Sequence, residues 1–208
     1  MPNAFQVQDQ ILKDFNKRLT KVVTNFKRKV VTNLTLLETS GSRLTASTAN
    51  IEYATALLPQ LLQDLQDAGF GDIISGLLDD DVKLIKSLKS LSPIPLEFTQ
   101  TSVQTIAALQ SAQIASFNAI GEQAVNRIRE EVMRTVLTGA PIEDAITAIS
   151  DSLESQFQRY AYTYANTALR DSKSCVNRKH TKHKEHCTPI IPLSQACIFV
   201  SHDRLFSL

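Results

Sequence analysis

The chain has 208 residues with a formal net charge of +1, 43% hydrophobic residues, 6% aromatic residues and no Trp. That length fits one domain with an aliphatic core, and 6 Gly with 7 Pro leave too little punctuation for a many-stranded sheet. The near-zero total hides a segregation. Residues 1–37 carry a net +5, residues 38–171 a net −8 and residues 172–208 a net +4, so an acidic body has a basic segment at each end.

The first predicted element places Leu12, Phe15, Leu19, Val22 and Phe26 at alternating steps of four and three, continuing through Val30, Leu34 and Leu37. This is a heptad seam with a late stutter. Lys13, Lys17, Lys21, Lys27 and Arg28 fall on the outside. Two readings stay open: an amphipathic helix docked on its own domain, or an arm over residues 1–39 that pairs with another subunit. The stretch from Gln6 to Lys21 is polar and charged, which predicts no secretory leader.

Ser40-Gly41-Ser42 reads as a turn. A helix is predicted from Arg43 to Ala68 with Leu44, Ile51, Ala54, Leu58, Leu61 and Leu65 on one face, kinked or split by Pro59. Gly69 to Asp72 reads as a loop; neither a preceding strand nor a Gly-Lys-Ser/Thr sequence makes it a phosphate loop. The next helix runs from Asp72 to Leu91, and Asp79, Asp80 and Asp81 read as a solvated acidic bend in its middle, without calcium-loop spacing. Ser92 to Pro95 is an extended connector. A long helix comes next, from Glu97 to Leu137, about 60 Å at 1.5 Å per residue. Phe98 to Gly121 is free of charge, but Gln100, Gln104, Gln110, Gln113 and Asn118 exclude a membrane span. We expect neighbouring helices or subunits to cover that half, and Gly121 to bend the rod. No strand is predicted before the C-terminal segment.

Thr138 to Ala145, "TGAPIEDA", combines a left-handed helix exit at Gly139, Pro141 in a first turn, and Glu143 and Asp144 at a positive helix end. The helix beginning there uses Ile142, Ile146, Ile149, Leu153 and Phe157 and runs into "RYAYTYANTALRD", Arg159 to Asp171. In that stretch Ala161, Ala165 and Ala168 make a small-residue line along which another backbone can approach closely, with Tyr160 and Tyr164 closing over it. Arg159, Thr163, Asn166 and Arg170 make a polar line, the candidate partner-binding surface. The expected fold class is all-α: an elongated bundle of long helices, with a helical body over 1–171 (arm 1–39, bundle 40–171) and an irregular basic tail over 172–208.

The run "VMRTVLTGAPIEDAITAISDSLESQFQRYAYTYANTALRD", Val132 to Asp171, resembles the minor head or head-morphogenesis proteins of tailed phages, the Mu F-like family. The resemblance covers about forty residues of layout. It implies a structural virion component, present in the virion and in the host cytoplasm during assembly, that docks on portal or capsid subunits or on itself. The family continues into a mixed α/β portion, and this chain departs from it after Asp171. The alternative is a cytoplasmic adaptor that self-associates through Leu12 to Leu37.

The tail collects Cys175, His180, His183, His186, Cys187, Cys197 and His202. It has no Cys-x-x-Cys pair, and His186 and Cys187 are adjacent, so it reads as a basic segment rather than a zinc site. Three cysteines without a framework fit a reducing compartment. No thiol has an orienting carboxylate or Gly-rich turn beside it. The chain is therefore read as non-enzymatic, with no cofactor, no metal, no small-molecule substrate and no membrane partner. Asn177 to Lys184 is expected to make only a weak, non-specific DNA contact.

Overall fold

The computed structural model describes residues 4–91 and 100–177. The protein is all-α, with one two-stranded ribbon among the described residues. Its order is α1 (Ala4–Leu34), β1 (Thr39–Ser40), β2 (Arg43–Leu44), α2 (Thr48–Asp67), α3 (Phe70–Leu91), α4 (Gln100–Thr138), α5 (Ile142–Asp151), a π-helical turn (Ser152–Phe157) and α6 (Gln158–Asn177). The connector at Ser92–Pro95 and the ligand-rich segment beyond Asn177 lie outside the described residues. Helix α6 runs six residues past the expected boundary at Asp171.

Helix α1 is a member of the core, not an arm. Leu12, Phe15, Leu19, Val22, Phe26, Val30, Leu34 and Leu37 are all buried within the chain, where α1 packs against α3 and α6. Each large apolar side chain so buried contributes about 1.5–3 kcal/mol of transfer free energy. The seam is consumed internally, and the self-associating adaptor loses the surface on which it rested.

The expected turn at Gly41 closes a small antiparallel ribbon, pairing Thr39 with Leu44 and Ser40 with Arg43. This corrects two expectations, the absence of strands and a helix starting at Arg43. The ribbon also grips the α4–α5 junction: the Leu44 amide donates to the Ala140 carbonyl at 3.1 Å and the Ile142 amide to the Ser42 carbonyl at 3.0 Å. Arg43 Nε donates to the Gly139 carbonyl at 2.8 Å. Gly139 leaves α4 at φ +59°, the left-handed exit expected from the sequence. Helix α2 then starts five residues later than expected, capped by Ser47, whose hydroxyl oxygen accepts from the Asn50 amide at 3.2 Å.

Pro59 does not split α2, which runs through it unbroken. Pro59 is exposed, as is Thr55, whose carbonyl loses its helical donor, so water can replace the missing bond. Helix α3 begins at Phe70, so most of the expected loop is helix. Nor do Asp79–Asp81 form a solvated bend. Successive positions on a helix point in different directions: Asp79 is exposed, Asp80 reaches Arg18 of α1 at 3.2 Å, and Asp81 is buried. Helix α4 is continuous through Gly121. A Cβ there would lie 2.9 Å from Phe70 Cε1 and 3.1 Å from Leu65 Cδ2, so the glycine lets α4 approach the α2–α3 corner closely.

Candidate functional site

Helix α6 emerges from α5 through the π-helical turn, which widens the coil by one residue per turn and re-aims the helix beyond it. Leu153 and Phe157 of that turn are buried, and the Phe157 ring packs 5.3 Å from that of Phe70. Around the turn, Lys27 pairs with Glu154 at 3.1 Å, and Arg127 donates to Gln156. Gln158 Nε2 donates to Thr20 Oγ1 at 2.7 Å and to Asn16 Oδ1 at 3.3 Å. These contacts fix where α6 begins against α1.

The alanine line is a packed seam. Ala161 and Ala165 are fully buried, and Ala168 and Leu169 nearly so. Tyr164 closes over it, its ring edge-on to Phe117 at 4.8 Å, and Phe117 in turn lies 6.0 Å from Phe15. Tyr160, expected to do the same, is 51% exposed. Four positions before Tyr164 the helix has rotated 40° away from the seam, and the π turn below fills the space with Phe157 instead.

Arg159, Thr163, Asn166 and Arg170 are all exposed on the outward side of α6. Asn166 accepts a long 3.4 Å hydrogen bond from Gln8. Tyr162 is also exposed, so the outer face offers two tyrosines besides the polar line. The structure brings the four expected residues onto one face and leaves that face accessible.

Two surface grooves flank α4. One, of about 340 Å³, lies between α4 and the α5–π segment and is walled by Arg127, Glu130, Glu131, Arg134, Ser152 and Gln156. Its charges are largely mutual: Glu131 hydrogen-bonds Arg134 and raises the guanidinium pKa. The other, of about 460 Å³, is lined by Thr55, Met133 and the 59%-exposed Leu137 together with the stems of Arg129 and Arg134. Among the described residues no three His, Cys, Asp or Glu side chains converge on a metal-sized site. Likewise, no described helix is long and apolar enough to cross a membrane.

Two features are not legible in the sequence. Buried Asn50 knits the ribbon to α2: its Oδ1 accepts from the Glu38 amide at 2.8 Å, and its Nδ2 donates to the carbonyls of Glu38 at 2.9 Å and Thr45 at 2.8 Å. Gly76 leaves the space through which Arg18 crosses α3, since a Cβ there would lie 2.6 Å from Arg18 Nη1. A polar residue and a glycine inside apolar periods are the only signals. No family model matches this chain, and no curated protein or solved structure does either.

Proposed function

We propose that this protein is a structural, non-enzymatic component of a phage head, a minor head protein that docks through the outer face of α6 on a portal or capsid subunit. The observation that carries the reading is the division of α6 into two faces. One is committed to the core through Ala161, Ala165 and Leu169; on the other, Arg159, Thr163, Asn166 and Arg170 are solvent-exposed. A helix anchored so tightly on one side presents its other side in a fixed geometry, and little ordering entropy is lost on docking. Arginine beside exposed tyrosine is the composition favoured at protein interfaces. Support also comes from the resemblance of Val132–Asp171 to the Mu F-like layout of long helix, glycine exit, short helix and alanine-lined helix. Such a component belongs to the virion and, during assembly, to the host cytoplasm.

The test is the double charge reversal Arg159→Glu with Arg170→Glu. The isolated protein should keep its helix content and melting temperature, and its incorporation into particles should fall. Unfolding of the variant, or unchanged incorporation, overturns the docking role.

A further inference from the structure

From Phe15 to Leu37 the chain holds six Lys or Arg and no Asp or Glu. Helix α1 sorts these cations sharply. Three are tied to acids of other elements: Arg18 to Asp80 at 3.2 Å, Lys27 to Glu154 at 3.1 Å and Lys29 to Asp67 at 3.0 Å. The other three, Lys17, Lys21 and Arg28, together with Lys13, are exposed and make no ion pair with any described residue. Those four share a line. Lys13, Lys17 and Lys21 succeed one another at steps of four, and Arg28 comes seven residues later, so all lie within about 80° of the helix circumference, a run of about 22 Å. The line is diametrically opposite the buried Phe15, Leu19, Val22 and Phe26. Like charges four apart on a helix repel. Asp9 lies four positions before Lys13 and Asp14 three before Lys17, but neither pairs with them, and Asp14 accepts from the Gln10 side chain at 3.1 Å instead.

We propose that this outer face of α1 binds the phosphate backbone of nucleic acid, independently of the docking face on α6. A straight row of unpaired cations complements a row of phosphates. Two other anionic partners fit less well. Protein interfaces are depleted in Lys and need an apolar centre, and the positions among these cations are Asp14, Thr20, Thr24 and Asn25. A lipid surface needs apolar residues to insert beside the cations, and between Lys13 and Arg28 every large apolar side chain is buried. Binding through phosphates alone is indifferent to base sequence.

The experiment measures binding of the full chain to a labelled mixed-sequence DNA duplex by fluorescence anisotropy across a salt series. Four phosphate contacts contribute a slope of about −3.6 in log affinity against log salt, roughly a hundredfold loss between 50 and 200 mM. The variant carrying Lys13→Gln, Lys17→Gln, Lys21→Gln and Arg28→Gln should lose that much of the slope. Lys17→Gln and Lys21→Gln alone should each lose about 0.9. Arg129→Gln, an unpaired cation on α4, should change nothing. The single variants decide the matter if the fourfold one does not fold. A fourfold variant that folds and keeps the wild-type slope overturns the proposal. So does competition by polyglutamate, or by phosphatidylserine vesicles, as strong as by unlabelled DNA at equal charge.

Discussion

Within α4, the half from Glu122 to Thr138 buries Ala124, Val125, Ile128, Val132 and Val136, whereas the half from Gln104 to Ala119 buries only Gln113 and Phe117 among its described residues. Both halves carry apolar residues at helical spacing. The difference lies in side-chain volume and in neighbours. The second half presents β-branched residues at steps of three and four to α2 on one side and α5 on the other. The first half presents Ala107, Ala108, Ala112, Ala115 and Ala119, all exposed, and Ile114 at 42% exposure. Of the two covers expected from its lack of charge, neighbouring helices or other subunits, described helices of this chain supply little. Periodicity sets the direction in which a side chain points; its size decides whether contact can hold anything there.

The sharpest way to break this comparison is to cut one isoleucine in each half. Ile128→Ala empties a fully enclosed site and should cost about 2–5 kcal/mol. For a chain of this size that is a fall in melting temperature of about 2–4 °C per kcal/mol. Ile114→Ala, on the exposed half, should stay within about 0.5 kcal/mol. Equal losses in thermal melts would mean the two halves are packed alike.

The seam of α6 offers the next test, smaller and of opposite sign in volume. Ala165 is fully buried and Thr163 is exposed one turn-fraction away. Ala165→Leu forces three extra carbons into a filled seam and should cost about 1–3 kcal/mol, while Thr163→Leu should be close to neutral in the isolated protein. Should both melt alike, the alanine line is not close-packed. Asn50→Leu belongs to the same range. It strands the Glu38 amide and the Thr45 carbonyl, while the Glu38 carbonyl keeps the Thr45 amide at 3.1 Å. The unsatisfied groups cost about 1–3 kcal/mol, with the ribbon loosening from α2. Hydrogen exchange at Glu38 reads that directly, and continued protection there would refute it.

These cases mark what is legible in a sequence. The all-α class, the long fourth helix, the Gly139 exit and the buried alanine line are readable because each rests on local spacing or on one residue's backbone preference. Pro59, Asp79–Asp81 and the ribbon mislead for a common reason. Each depends on what another part of the chain or the solvent supplies: water on the outer side of α2, Arg18 arriving over Gly76, and the 139–142 backbone that the ribbon grips. Tyr160 departs from its expected place because it lies about 40° further round α6 than Tyr164 and away from the alanine line. The π turn before it is announced by no residue in "SLESQF".

The smallest effect concerns charge rather than packing, and it contrasts a cation of α1 that has found partners with the four that have not. Lys29 meets Asp67 at 3.0 Å and Asp64 at 3.5 Å. The Asp67 carboxyl is held below its ordinary 3.8 by the Gln63 amide first and by Lys29 second, and the Lys29 ammonium is raised above 10.5, chiefly by its hydrogen bond to Asp67. A depressed carboxyl stabilises the fold above its unfolded value and loses that contribution as pH falls through the folded value. A raised ammonium stabilises below its unfolded value and loses it as pH climbs through the folded one. The pair should therefore contribute evenly across neutral pH and fade below 3.8 and above 10.5. Both groups are largely in solvent, so screening keeps the effect small. Asp67→Asn should lower the melting temperature slightly at neutral pH and low salt. The gap to wild type should narrow in about 1 M salt and close in acid. A gap that persists unchanged in acid would mean that Asp67 acts through its hydrogen bonds and shape, not its charge.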